Sequence, residues 1–132
     1  MARSKAVPGE KTLFWVGSPK DDLLEFPESV KDTIGLALSV AQFGGKHASA
    51  KPWKGIGPGV LEVVADYRSD TYRAVYAVYT VKFERAVYVL HAFQKKSPKG
   101  RKTAQTDVEL ISRRLRTATD DYEARYGERE KP

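Results

Sequence analysis

The stretch LEVVADYRSDTYRAVYAVYTVKFERAVYVLHAF, residues 61–93, dictates the architecture. Leu61, Val63, Ala65 and Tyr67 alternate with Glu62, Val64, Asp66 and Arg68, the pattern of a strand with one buried face. Ser69-Asp70-Thr71 is short enough to turn the chain back as a hairpin. Tyr72 to Val81 is nearly all β-branched or aromatic, which suits a central strand. A second turn near Phe83-Glu84-Arg85 leads into Ala86 to Phe93. This predicts an antiparallel meander with helices on one face.

Upstream, Thr12 to Val16 is β-branched and aromatic and predicts another strand. Ser18-Pro19 offers a capping hydroxyl and a first-turn proline for a short helix over 19–25. From Pro27 to Phe43, Val30, Ile34, Ala37, Leu38 and Ala41 form one apolar stripe at helical spacing. Gly44-Gly45 ends that helix, and residues 46–59, with Pro52, Gly55, Gly57, Pro58 and Gly59, read as a loop. Downstream, QKKSPKGRK (94–102) is a basic loop. A final helix from about Thr103 to Tyr122 carries Ala104, Val108, Ile111, Leu115 and Ala118 on one side and Arg113, Arg114 and Arg116 on the other. The expected class is α+β: an antiparallel sheet of about four strands with a mixed edge, two N-terminal helices packed on one face, and a C-terminal helix. Residues 1–11 form a mobile basic arm with Arg3, Lys5 and Lys11, 12–122 a single domain, and 123–132 a fraying tail.

Composition narrows the function. The chain has 132 residues, 41% hydrophobic and 30% charged, enough for one domain with a real core. No apolar run exceeds the six residues Ala74 to Tyr79, far short of the roughly 20 that span a bilayer. With no apolar signal core at the N-terminus, a cytoplasmic location is expected. The absence of cysteine excludes disulfides, thiolate metal sites and a cysteine nucleophile. Only His47 and His91 are present, so neither a histidine-rich metal site nor a cofactor is expected. Phosphate-loop, serine-elbow and H-E-x-x-H motifs are missing.

The net charge of +6 favours an anionic partner, and its distribution says more than its sum. Between Gly45 and Gly59 lie Lys46, Lys51 and Lys54 with no acid. Between His91 and Thr106 lie Lys95, Lys96, Lys99, Arg101 and Lys102, again with no acid. Cations without counter-charges attract phosphate and gain from counterion release; the alternative is a solvated turn guarding a sheet edge. His91 and Phe93, two apart on a strand, share a face. The histidine suits general acid–base work and the phenylalanine suits stacking on a base; the alternative is that both finish the core. Arg68 and Arg73 flank the first hairpin turn and suit phosphate binding or cross-strand ion pairs. Trp53, between Lys51 and Lys54, is either a stacking platform or a buried anchor for its loop.

The element order, together with Val63-Val64-Ala65-Asp66-Tyr67-Arg68, Tyr72-Arg73-Ala74-Val75-Tyr76 and above all Val89-Leu90-His91-Ala92-Phe93-Gln94-Lys95-Lys96-Ser97-Pro98, resembles the RelE/ParE toxin superfamily (βααβββα) over about residues 12–122. The resemblance is closest to the HigB-like, phage-derived branch. It implies a toxin of a type II toxin–antitoxin system that cuts mRNA, usually on the ribosome. It carries the family's phosphate-binding arginine onto Arg73 and its basic residues after the last strand onto Lys95 and Lys96. Lysines that one branch uses are replaced here by Val64 and Asp66, which shifts weight to His91 and the basic loops. The expected catalytic set is Arg73, His91, Lys95 and Lys96. The expected RNA contacts are Lys51, Trp53, Lys54, Arg68, Phe93, Lys99, Arg101 and Lys102. The expected chemistry is metal-independent attack of a 2′-hydroxyl on the adjacent phosphorus, with a helix-turn-helix antitoxin encoded nearby and no membrane partner. The alternatives are a ParE-like inhibitor that binds DNA gyrase without chemistry, and a non-toxic basic RNA-binding module.

Overall fold

A computed structural model describes residues 9–53, 58–65, 74–80, 82–95 and 105–130, with the backbone alone at 74–80, 95 and 128–130. In chain order the elements are β1 (Thr12–Trp15), α1 (Pro19–Leu24), α2 (Glu28–Gln42), β2 (Ala50–Pro52), β3 (Val60–Ala65), β4 (Ala74–Thr80), β5 (Ala86–Lys95) and α3 (Gln105–Glu130). One sheet runs in the order β1-β5-β4-β3-β2. The meander is antiparallel as expected, with Val63 opposite Ala77 and Ala77 opposite Ala92. β1 is parallel to β5, Thr12 pairing with Ala86 and Trp15 with Val89, so the sheet is mixed.

Two expectations need correction. The sheet has five strands, because Ala50–Pro52 pairs with Val63–Leu61 at the edge instead of looping. Pro52 is tolerated there because an edge strand has a side that donates no ladder bond. The helices also cover both faces. Leu23, Phe26, Val30, Ile34 and Leu38, from α1, α2 and their junction, pack with Val63, Val87, Val89 and Ala92 on one face. Ile111, Ala118 and Tyr122 of α3 pack with Phe14, Tyr88 and Leu90 on the other. Alternation in β5 explains this, since Val87 and Val89 face one way and Tyr88 and Leu90 the other. Each such buried aliphatic or aromatic side chain contributes about 1.5–3 kcal/mol.

Of the expected basic arm, residues 1–8, with Arg3 and Lys5, lie outside the described residues. Lys11 is fastened to α2, its N–H donating to the Gln42 carbonyl at 2.7 Å while Gln42 Nε2 donates to the Lys11 carbonyl at 2.8 Å. At the other end α3 runs to Glu130, past the helix end expected at about Tyr122. Tyr126 sustains it by packing on Tyr122, ring centroids 4.8 Å apart. The Ser18 hydroxyl does not cap a backbone amide. It donates to Asp22 Oδ2 at 2.8 Å. Gly44, at φ +87°, ends α2 in the left-handed conformation that its sequence announced.

Candidate functional site

The site is made by an irregularity in β5. Val78 pairs with His91 and Tyr79 with Val89, so Leu90 is an extra residue on β5, a β-bulge. A bulge shifts the phase of alternation by one residue. Before it, Ala86, Tyr88 and Leu90 face α3; after it, Phe93 packs on that side and Ala92 on the other. His91 is thereby turned toward α3, where its Nε2 meets Asp107 Oδ1 at 2.8 Å. The Phe93 ring lies against the imidazole, centroids 4.6 Å apart and planes 19° from parallel. The shared face expected for His91 and Phe93 is realised as this stack. His91 is only 7% exposed.

In the chain, His91 precedes the basic stretch 94–102 and Asp107 follows it. His91 lies four residues before Lys95, the last residue of β5, about 13 Å along a strand. Asp107 lies in the first turn of α3, where the positive end of the helix dipole favours an anion. Beside His91, Asp22, Glu25 and Phe26 face residues 91–94 across an open groove of about 520 Å³. β1 pairs with β5 only as far as Val89, which leaves this part of β5 next to α1 instead of a strand. Arg114 of α3 closes the gap, donating to the Leu90 carbonyl at 2.9 Å and to Ser18 Oγ at 3.4 Å.

Of the expected site residues, the structure brings together His91 and Phe93. Lys51 is exposed on edge strand β2. Trp53 is 6% exposed and packs in the α3-side core, so of its two readings the buried anchor replaces the stacking platform. Lys95 ends β5 and pairs through its backbone with Ala74, the residue after Arg73 in the chain. Arg73, Lys96, Lys54, Arg68, Lys99, Arg101 and Lys102 lie outside the described residues. The run after His91 is acid-free along the chain but the ring's surroundings in space are not: among the described residues its polar neighbours include Asp107, and Asp22 and Glu25 line the adjoining groove. Among the described residues no three histidine or acidic side chains gather as a metal site. None of the described helices is long and apolar enough to cross a membrane.

Asp107 was missed in the sequence, though a signal existed. It is the first acidic residue after His91, the one that ends the acid-free run. The roles of Arg114 and of the α1 carboxylates had no such signal, because both depend on where β1 stops and on the bulge.

No curated protein matches the chain. The profile of the phage-derived Gp49-like proteins (DUF891) matches residues 21–116, from α1 through the middle of α3. The chain belongs to this phage-derived Gp49-like family, and with it to the RelE/ParE-like toxin superfamily.

Proposed function

We propose that this protein is the toxin of a HigB-like type II toxin–antitoxin pair and that it cleaves mRNA, on the ribosome, without a metal. The observation that carries the reading is the bulge-aimed His91, paired with Asp107 and stacked on Phe93 just before the basic stretch in the chain. A histidine held by a carboxylate is suited to proton transfer. Here it would take the 2′-hydroxyl proton as that oxygen attacks phosphorus, leaving a 2′,3′-cyclic phosphate and a 5′-hydroxyl. Arg73, Lys95 and Lys96 would stabilise the negative charge on the phosphorane, a role in which one preorganised donor is worth about 3–4 kcal/mol. Lys51, Lys54, Arg68, Lys99, Arg101 and Lys102 would hold the RNA backbone. A helix-turn-helix antitoxin encoded nearby is the partner that supports viability.

Primer extension on cellular mRNA after brief induction tests the reading. Discrete cleavage by the wild type, abolished in folded His91→Ala and Lys95→Ala variants, supports it. Growth inhibition with intact mRNA rejects it.

One observation favours a second reading. His91 is largely closed off, and carboxylates line the groove beside it. This suits a protein that inhibits by binding, as ParE-like members do with DNA gyrase. Toxicity that survives His91→Ala and is relieved by resistant gyrase would establish it.

A further inference from the structure

His91 lies on β5 and Asp107 on α3, the two elements that flank residues 96–104 in the chain. The contact uses Nε2. The other ring nitrogen, Nδ1, is buried and has no hydrogen-bond partner among the described residues. A carboxylate only accepts hydrogen bonds, so the proton of a neutral ring belongs on Nε2, and Nδ1 carries the lone pair. The reverse tautomer would point a lone pair at a carboxylate and bury an N–H with no acceptor, and orphaned buried N–H groups are rare. Phe93, stacked on the ring, fixes its plane. The side chain of His91 is 9% exposed and that of Asp107 30%, so the carboxylate keeps more contact with water than the imidazole, whose Nδ1 is buried.

We propose that Asp107 is a positioning residue that holds His91 as the Nε2–H tautomer and so fixes which side of the ring carries the lone pair. Its effect on cleavage rests on the nuclease reading above; the tautomer does not.

Nitrogen NMR of protein labelled with ¹⁵N-histidine reads the tautomer directly. Only two histidines contribute, and His91→Gln assigns them. His47 is an internal reference, because its Nδ1 accepts the Ser49 amide at 3.0 Å. In its neutral form, the wild type is expected to show His91 protonated at Nε2 alone. Asp107→Leu should mix the tautomers. It should also lower kcat for mRNA cleavage about tenfold or more with little change in KM, and Asp107→Asn, which keeps an acceptor, should recover part of both. A proton on Nδ1 in the wild type overturns the proposal, and so does an unchanged tautomer in Asp107→Leu. Should Asp107→Leu fail to fold, the wild-type spectrum and Asp107→Asn still decide. If the tautomer behaves as stated but the wild type cuts no RNA, the nuclease reading fails while the hold of Asp107 on His91 stands.

Discussion

Arg114 Nη1 donates to the Leu90 carbonyl at 2.9 Å, and the same guanidinium lies where a Cβ on Gly17 would stand 2.7 Å from its Cζ. Leu90 is the extra residue of the bulge, and a bulge leaves its extra residue without a ladder partner. Arg114 supplies one from the opposite element. Burial pulls its guanidinium below the ordinary arginine value, and the charge of Asp22 opposes that shift. The bulge that aims His91 is therefore held by an arginine that needs a glycine beside it.

Gly17→Ala should lower stability by about 1–3 kcal/mol, because φ +80° is strained for alanine and the new methyl displaces Arg114. Arg114→Met should cost about 1–3 kcal/mol by leaving the Leu90 carbonyl unmet. The double variant should cost less than the sum, since methionine has no guanidinium for the added methyl to displace. Urea unfolding of the three variants checks this, and strict additivity would show that the two residues do not interact.

The Tyr88 hydroxyl, buried in the sheet, donates to Asp121 Oδ2 at 2.6 Å. Burial first, then the hydrogen bond and charge of Asp121, push its ionisation well above the ordinary tyrosine value. The folded state therefore keeps a proton that the unfolded chain loses near pH 10. This contribution to stability is fully present below about pH 10 and is lost as the pH rises beyond it. Tyr88→Phe should cost about 1–3 kcal/mol at neutral pH and should flatten the alkaline loss. Unfolding at about pH 8 and about pH 11 measures both; an equal alkaline loss in the two proteins would exonerate Tyr88.

Trp53→Phe should fold with a loss under about 1.5 kcal/mol, whereas Trp53→Ala should lose about 3–5 kcal/mol. The indole Nε1 has no partner among the described residues, so the phenylalanine variant forfeits no hydrogen bond there. RNA affinity of the folded phenylalanine variant should equal that of the wild type, as filter binding or fluorescence anisotropy would show. A large loss would return Trp53 to the role of stacking platform.

Truncation after Tyr122 should cost about 1–2 kcal/mol instead of being neutral. It removes the Tyr126 ring from Tyr122 and takes Arg125 from Asp121, 2.8 Å away, and from the Phe14 ring, 4.5 Å from its centroid. A thermal melt of the shortened chain decides between a packed last helix and a frayed one.

Side-chain periodicity alone settled the strands of the meander, the apolar faces of α2 and α3, and the pairing of His91 with Phe93 on one side. Those features repeat every two or 3.6 residues, and burial of one face is a local requirement. The charge pattern likewise marked 94–102 as cationic without any coordinates. Three-dimensional packing set what depends on partners distant in the chain. Ala50–Pro52 became a strand only because Val63–Leu61 offered an edge. α3 went to the second face because alternation in β5 leaves both faces apolar, and an apolar face must be covered. The bulge at Leu90 had no signature in composition, yet it turns His91 from the α1–α2 side to Asp107. Strand register and helix placement are set by the sum of long-range contacts. That is why the histidine was legible in the sequence and its contact with Asp107 was not.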